Sequence, residues 1–223
     1  MAKSLSEIKR LLHEDFYKKL QEEGIDEFRP AQEKALDAGL LDKKSLLVCT
    51  PTASGKTLVA ELAALNSIYN SWGKAIYIVP LKALAMEKYK EFNRKYGDKV
   101  KVAVSVGEYD SAESRLKNYD LIITTSEKLD SLLRHHTPWI KDVGTVVIDE
   151  IHLLNDVGRG PTLEILITLL KHLLKNIQIL GLSATIGNAP ELAEWLETDL
   201  VVDQWRPVEL CQGVEYDNKV DFY

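Results

Sequence analysis

The sequence predicts an α/β domain in which a mainly parallel β-sheet lies between layers of helices. The first indication is a series of short, β-rich apolar runs: SLLVCT, KAIYIVP, KVAVSV, DLIITT, GTVVIDE and NIQILGLSAT. These runs are apolar on both faces and alternate with helical segments, which is typical of parallel strands covered on each side. The second indication is that polar residues directly follow five of the six runs, where open parallel sheets place their functional groups.

Helical segments are predicted before the first strand. Residues 4–23 carry apolar side chains at helical spacing, and Gly24 is the expected end of the helix, because glycine tolerates the left-handed conformation. A second short helix is expected after Pro30, because proline favours the first turn of a helix. The apolar positions of the first segment are Leu5, Ile8, Leu11, Leu12, Phe16 and Leu20.

The first strand leads into SLLVCTPTASGKTLVAEL, residues 45–62, which resembles a phosphate-binding loop with one glycine missing. The general pattern, G-x-x-x-x-G-K-[ST], requires a glycine five positions before Gly55, where this chain has Thr50. In a phosphate loop, backbone N–H groups face the phosphates, Lys56 reaches the β and γ groups, and the Thr57 hydroxyl ligates Mg²⁺. The alternative is a lysine and a threonine that simply open an amphipathic helix. The strand–loop–helix setting favours the phosphate loop.

The fifth strand ends in VVIDE, residues 146–150, where an apolar run stops at two carboxylates. A carboxylate at a strand end can hold Mg²⁺, and its neighbour can activate an attacking water. We assign Asp149 to the metal and Glu150 to the general base. The alternative is an acid that caps the next helix, but a pair beside a phosphate loop favours the catalytic interpretation.

The helix after the second strand carries charges of both signs, which predicts an ordinary solvated face. Its charged residues are Glu87, Lys88, Lys90, Glu91, Arg94 and Lys95. The closing stretch, LVVDQWRPVELCQGVEYDNKVDFY, predicts one or two strands that leave the domain.

Length and composition are those of a single domain with a sizeable core. The chain has 223 residues, of which 45% are hydrophobic. Cys49 and Cys211 match no metal-binding spacing, which indicates a reducing compartment. The sequence shows neither a signal region nor an 18-residue apolar run, so we expect a cytoplasmic protein without a membrane span.

The net charge limits how the domain can bind nucleic acid. With 34 acidic and 28 basic side chains, the formal charge is -6. This is the wrong sign for a protein that covers nucleic acid electrostatically, although a local groove stays compatible with it. A single domain of this charge is expected to bind a strand weakly.

The motifs TASGKT, DEIH and SAT, in that order, resemble the first RecA-like domain of a superfamily 2 helicase. Members of this superfamily typically have a small residue at the position of Thr50, and alanine at the position of Ala53 also occurs in the Ski-like branch. RGPTLE and DQWRPVEL closely resemble the archaeal Hjm-type DNA helicases of that branch. The resemblance covers nearly the entire chain. It implies a helical appendage at 1–28, a RecA-like ATP-binding domain at 29–205, and at 206–223 an exit strand and the start of a linker.

The resemblance also implies the cofactors ATP and Mg²⁺ and the residues that hold them. FRPAQ is similar to the adenine-recognising Q motif, which places Gln32 on the base edge with Phe28 nearby. Lys56, Asp149 and Glu150 would carry the catalysis, and Thr57 and Asp149 would hold the metal. The full set of implied ATP contacts is Phe28, Gln32, Thr52, Ala53, Ser54, Gly55, Lys56 and Thr57.

Three further stretches resemble the strand-contacting motifs of the superfamily: PLKALA, TTSEKLDSLLR and GEYD. The implied contacts are Pro80, Lys82, Ala83, Gly107, Thr124, Thr125, Ser126 and Lys128. Without the family, such residues would be turn residues and helix caps, and both roles are compatible because helix N-termini bind phosphates. Motif III, LSATIGN, and the histidine of DEIH imply that nucleotide state is coupled to strand binding through His152, Ser183, Ala184 and Thr185.

The resulting prediction is the ATP-binding domain of an ATP-dependent DNA helicase or translocase of the repair or fork-processing type. Its partners would be single-stranded or branched DNA and a second RecA-like domain, which would supply arginines to the ATP site from outside these residues. Two alternatives remain open. A Ski-like RNA helicase would share every catalytic motif, and a P-loop nucleotide-binding module would never move on nucleic acid.

Overall fold

A computed structural model describes residues 3–107, 114–135, 137–208, 211, 213–216 and 219–222. Seven strands form one parallel sheet, and two more form a separate antiparallel pair. The strands of the main sheet are β1 Leu46–Cys49, β2 Lys74–Val79, β3 Val102–Ser105, β4 Leu121–Thr125, β5 Val143–Ile148, β6 Gln178–Ser183 and β7 Asp199–Val202. The first six coincide with the six apolar runs, so the predicted α/β fold is confirmed.

Helices occupy the connections between these strands. The α-helices are α1 Glu14–Glu22, α2 Pro30–Asp37, α3 Lys56–Tyr69, α4 Lys82–Tyr96, α5 Ser126–Arg134, α6 Gly160–Leu173 and α7 Ala189–Leu196. Short 3₁₀ turns are Lys9–Leu11, Leu40–Asp42, Ser114–Asn118, Pro138–Asp142 and Ile151–Asn155. The helix expected after Pro30 is present as α2.

The sheet has a separate apolar core on each face. Successive strand residues point to opposite faces, so Leu46 and Val48 pack with α1 to α4, whereas Leu47 and Cys49 pack with α5 to α7. All four of these side chains are buried. Burial on both faces explains why the strands have continuous apolar runs rather than alternating patterns.

The order of the strands brings the chemistry-bearing loops together. Across the sheet the order is β3, β4, β2, β5, β6, β1 and β7, so β6 lies between β1 and β5. Because neighbouring strands lie about 4.8 Å apart, the loops after β1 and β5 are separated by roughly 10 Å. The end of β6 stands between them.

The N-terminal region differs from the single helix predicted for residues 4–23. Ser4 forms an antiparallel bridge with Glu27, and the α-helix begins only at Glu14. His13 caps this helix, since its Nδ1 accepts from the Asp15 backbone N–H at 3.3 Å. The capping residue and the bridge compete with helix over the first turns. Phe16 and most other apolar residues of this region are buried in the same core as the sheet, whereas Leu11 is 55% exposed. The region is therefore integrated into the domain.

The C-terminal stretch was predicted to contribute one or two strands that leave the domain, and this is wrong for its first strand. β7 pairs in parallel with β1 and forms an edge of the main sheet, with Val48 opposite Val201. The next two strands are β8 Gly213–Tyr216 and β9 Lys219–Phe222, and within the described ranges they pair with each other and with no other strand. The parallel pairing of β7 with β1 cannot be predicted from the residues of β7 alone. It depends on α7, which brings the chain back to that edge of the sheet.

The described helices and the two cysteines were also compared with the requirements for a membrane span and for a disulfide bond. Within the described ranges, no helix has the length and apolar character needed to cross a bilayer. Cys49 is buried and Cys211 is exposed, and both are free thiols.

Candidate functional site

The loop between β1 and α3 has the geometry of a phosphate cradle. Ala53 and Gly55 both have left-handed backbones, with φ of 62° and 96°. Ser54 is buried and its hydroxyl donates to the Pro51 carbonyl at 2.8 Å, which closes the loop on itself. The loop then runs directly into the N-terminus of α3, whose first N–H groups have no partner within the helix and are available to an anion.

Lys56 is folded back across this loop. Its Nζ donates to the backbone carbonyls of Thr50 at 2.9 Å and of Pro51 at 3.4 Å. These are neutral acceptors, and no carboxylate is involved in either bond. The ammonium charge is therefore held at the mouth of α3, where a phosphate would find both the charge and the helix N-terminus.

Gln32 connects α2 to the loop. Its Oε1 accepts from the Arg29 N–H at 2.8 Å and its Nε2 donates to the Gly55 carbonyl at 3.0 Å. The Arg29 guanidinium also donates to the Ala53 carbonyl at 2.7 Å. One Nε2 hydrogen and one Oε1 lone pair of Gln32 remain, and this pair of groups matches the N7 and N6 edge of adenine.

A cavity of about 370 Å³ opens beside these contacts. Its lining residues include Gly24, Ile25, Arg29, Gln32 and Thr57. Phe28, which was expected to lie near the base, is 3% exposed, packs in the core and does not line the cavity. Thr52 is exposed at the tip of the loop.

Replacing Gly55 with alanine is expected to weaken nucleotide binding by distorting the loop. An added Cβ would lie 2.3 Å from Gln32 Nε2, and the φ of 96° disfavours any side chain at this position. The left-handed backbone alone costs about 1–2 kcal/mol. Calorimetric titration with ATP and Mg²⁺ checks this. The matched control is Gly158→Ala, where the added Cβ meets only Asp156 Oδ1, at 3.4 Å. Equal affinities for the two variants would contradict the assigned role of the loop.

The carboxylate pair lies at the end of β5, and its two members have different environments. Asp149 Oδ2 accepts from the Tyr77 hydroxyl at 3.1 Å, and Oδ1 accepts from the Glu150 N–H at 3.0 Å. Burial raises the pKa of the Asp149 carboxyl, the charge of Glu150 raises it further, and Tyr77 and Lys88 act in the opposite direction. Asp149 is thus fixed at the floor of the site.

The Glu150 side chain is 34% exposed. Its backbone is left-handed, with φ of 52°, a conformation that costs a non-glycine residue energy and is concentrated at functional sites. His152 Nδ1 lies 3.3 Å from Glu150 Oε2, but it is not aligned for a hydrogen bond and has no other hydrogen-bond partner among the described residues.

The donor set fits a Mg²⁺–nucleotide complex better than a metal held by protein alone. Across the described part of the chain, no group of three or more His, Cys, Asp or Glu side chains could hold a metal ion. The available oxygen donors are the Thr57 hydroxyl and the Asp149 carboxylate. Mg²⁺ normally uses one or two carboxylates together with substrate phosphates and water, which agrees with this small set.

The end of β6 lies between the loop and the carboxylate pair and carries buried hydroxyls. Thr50 N donates to the Ser183 carbonyl at 3.2 Å. The hydroxyl oxygens Thr50 Oγ1 and Ser183 Oγ are both buried, and neither has a hydrogen-bond partner within the described ranges. Ala184 is half-buried and Thr185 is exposed, so motif III runs from the interior of the sheet to the surface.

The residues predicted to contact a strand fall into two groups. Lys82 and Ala83 are exposed in the first turn of α4, next to the half-buried Pro80. Gly107 follows β3, and the rest of GEYD lies outside the described residues. The second group is buried and consists of Thr124, Thr125, Ser126 and Lys128.

The buried group has structural roles of its own. The Thr124 hydroxyl donates to the Ser105 carbonyl at 2.8 Å, and Thr125 caps α5 by accepting from the Lys128 N–H at 3.4 Å. These side chains offer little surface to a ligand. A strand contact at this point would have to use the backbone N–H groups that begin α5, and the contact stays a prediction.

A buried ion cluster beside the cavity was missed by the reasoning from sequence. Lys88 and Lys95, predicted to be solvated, have side chains that are only 17% and 16% exposed. Lys95 pairs with Glu61 of α3 at 2.9 Å, and the Tyr96 hydroxyl donates to Glu61 at 2.7 Å. The available signal was Glu61 itself, a lone acid in the apolar run TLVAELAAL, because a buried charge requires a partner.

The sheet is parallel, a GKT loop follows β1, and an acidic pair follows β5, which is separated from β1 by β6 alone. This is the architecture of a RecA-like helicase domain. Residues 29–193 match the family described as DEAD/DEAH box helicase. The chain belongs to this family.

Relatives and solved structures agree with this assignment. The chain is 54% identical over 210 residues to the ATP-dependent DNA helicase Hel308 of Methanococcus vannielii, which covers 91% of the chain and 28% of that protein. It is 56% identical to the Hel308 of Methanocaldococcus jannaschii, over 91% of the chain and 17% of the relative. The crystal structure of the DUF1998 helicase MrfA bound to DNA matches with a TM-score of 0.74 and 29% identity, over 87% of this chain and 30% of that one. The chain therefore spans between about a sixth and a third of the lengths of these proteins.

Proposed function

We propose that this chain is the ATP-binding domain of an ATP-dependent DNA helicase or translocase. One arrangement carries the proposal: the loop Thr50–Thr57 and the pair Asp149–Glu150 flank the end of β6 at the same edge of the sheet. The similarity of the chain to the Hel308 helicases and to a helicase crystallised with DNA supports DNA as the nucleic acid.

The residues would divide the work of ATP hydrolysis between them. Lys56 and the N–H groups of α3 would bind and orient the β- and γ-phosphates, and Gln32 would recognise the adenine edge. Thr57 and Asp149 would hold Mg²⁺, which supplies charge neutralisation at the phosphate oxygens when bound. Glu150 would accept a proton from the attacking water, since its carboxylate is partly exposed while Asp149 is assigned to the metal.

Strand binding would use the loops on the same edge of the sheet. We assign it to the exposed first turn of α4, with Lys82 and Ala83, to Gly107 and to the N–H groups that begin α5. His152, Ser183, Ala184 and Thr185 would couple this surface to the nucleotide, because they lie at or just after the ends of β5 and β6. These two strands separate β1 from β2, β3 and β4 in the sheet. The net charge of -6 means that these local contacts, rather than the overall field, would hold the strand.

A second RecA-like domain is part of the proposal. The relatives are several times longer than this chain, and phosphoryl-transfer sites often gain about 10³- to 10⁵-fold in rate from an arginine supplied by another domain. We propose that residues 1–28 form a helical appendage and that residues 29–205 form the ATP-binding domain. Residues 206–223 would form an exit strand and the start of a linker to the second RecA-like domain.

Stimulation of ATP turnover by nucleic acid tests the proposed function. Turnover of the protein that contains this chain is measured without nucleic acid, with single-stranded DNA and with single-stranded RNA of the same sequence. DNA is expected to stimulate most, and residues 1–223 alone are expected to be stimulated weakly. Stronger stimulation by RNA would favour the RNA helicase alternative. Absence of any stimulation would favour a nucleotide-binding module. A Glu150→Gln preparation controls for contaminating ATPases.

A further inference from the structure

Lys88 of α4 reaches into the proposed metal site. Its Nζ donates to the Thr57 hydroxyl at 3.3 Å, and its charge is among those felt by the Asp149 carboxyl. Thr57 and Asp149 are the two proposed Mg²⁺ ligands. A single ammonium group thus interacts with both of them, although it lies on a helix that none of the nucleotide motifs includes.

Lys88 has a second partner that lies away from the metal site. Its Nζ is 3.0 Å from Glu91 Oε2, one turn further along α4. Glu91 Oε1 is 3.3 Å from Lys95 Nζ, which in turn is 2.9 Å from the buried Glu61. The side chains of Lys88, Glu91, Lys95 and Glu61 are at most 27% exposed, so water screens these charges less than it screens charges at the surface.

An ammonium group and a Mg²⁺ ion cannot share the Thr57 oxygen without a penalty. Both seek electron density on the same hydroxyl, and like charges at such a distance repel strongly where water is scarce. A cation that arrives at Thr57 therefore weakens the contact with Lys88 and shifts Lys88 towards Glu91. The carboxylate of Glu91 makes this shift easier, because it can pair with the Lys88 ammonium group when the contact with Thr57 is lost.

We propose that Lys88 is a positioning residue that competes with Mg²⁺ for Thr57 and yields to it by pairing fully with Glu91. This inference rests on the proposed function, because it needs a magnesium–nucleotide site at Thr57 and Asp149. It also gives α4 a route by which the metal site affects the strand surface. Lys82 begins the same helix, about 9 Å along its axis from Lys88.

The proposal predicts metal affinities that change in opposite directions. Lys88→Met removes the competitor and should tighten metal binding by about fivefold or more, the lower end of typical coupling between sites. Glu91→Gln removes the alternative partner, leaves Lys88 on Thr57, and should weaken metal binding by a comparable factor. The double variant should behave like Lys88→Met, because Glu91 acts on the metal only through Lys88.

Mn²⁺ in place of Mg²⁺ gives a readout that is independent of ATP turnover. Electron spin resonance measures Mn²⁺ bound to residues 1–223 at a saturating concentration of a non-hydrolysable ATP analogue. Lys90→Met and Glu87→Gln are the matched controls, because both residues are exposed on the same helix and neither belongs to the ion cluster. Lys88→Gln is a second neutral replacement, and the thermal midpoint of each variant confirms that it is folded.

The outcomes separate this inference from the function on which it rests. Opposite shifts for Lys88→Met and Glu91→Gln, with unchanged controls, support the competition. Shifts in the same direction, or none, overturn it while the nucleotide site stands. If the wild-type chain bound the analogue but no Mn²⁺, the metal site itself would be wrong. Failure to bind the analogue at all would remove the proposed function.

Discussion

Glu150→Gln is expected to lower ATP turnover by about 10²- to 10⁴-fold while nucleotide affinity stays close to that of the wild type. Glutamine has nearly the shape of glutamate but cannot take a proton from water. The side chain is one-third exposed and, among the described residues, makes no hydrogen bond that holds the loop or the metal ligands, so the substitution should leave the binding site intact. Single-turnover hydrolysis and calorimetric ATP titration of the same preparation measure the two effects separately.

Asp149→Asn serves as the comparison for this variant. Asp149 accepts hydrogen bonds on both carboxylate oxygens and is a proposed metal ligand, so its loss should raise the Mg²⁺ concentration needed for ATP binding. The two acids are thus expected to differ in kind, with a loss of turnover for Glu150→Gln and a weaker affinity for Mg²⁺ for Asp149→Asn. Wild-type turnover in Glu150→Gln would remove Glu150 from the role of base.

Lys56→Ala is expected to weaken the affinity for ATP by roughly 10- to 150-fold, which corresponds to the loss of charge-assisted hydrogen bonds to phosphate. Calorimetry with ATP and Mg²⁺ measures the affinity. The thermal midpoint of the nucleotide-free domain should change little. In the described part of the chain, the ammonium donates to no groups other than the carbonyls of Thr50 and Pro51, which the loop can expose to water once the lysine is gone.

Lys90→Ala is the matched control for Lys56→Ala. It also removes one positive charge, but from an exposed position on α4, so any effect on ATP affinity through net charge alone would appear in it. If Lys56→Ala bound ATP as tightly as the Lys90 variant, the loop between β1 and α3 would lose its assignment as the phosphate site.

The positions of the strand ends were readable from sequence because the signals are local. Five of the six apolar runs stop at a change to polar residues, and in a parallel sheet that change marks the end of a strand. The GKT loop and the acidic pair are likewise contiguous in the chain. Their assignment needed only the prediction that strands precede them.

The N-terminal region shows where local patterns fail. Residues 4–12 have helical spacing of apolar residues, but the chain there forms turns and a bridge between Ser4 and Glu27. Several apolar side chains at this spacing are buried anyway, Leu5 and Ile8 among them, because turns can also present them to the core. Hydrophobic periodicity therefore predicted the burial of Leu5, Ile8 and Leu12 correctly, but it was wrong about Leu11, which is exposed, and about the secondary structure.

The sequence by itself determined the α/β class, the succession of the main strands along the chain and the loops that bear Lys56 and Glu150. These features depend on contiguous residues and their immediate neighbours. Only the tertiary structure decided that β7 joins the edge of the sheet beside β1, and that Lys88 reaches Thr57 while Lys95 pairs with Glu61. These contacts join residues 31 to 153 positions apart, as from Leu46 to Asp199. Such pairings follow from the way whole helices and strands pack. The spacing of residues along one helix does not predict which residue of another helix each of them contacts.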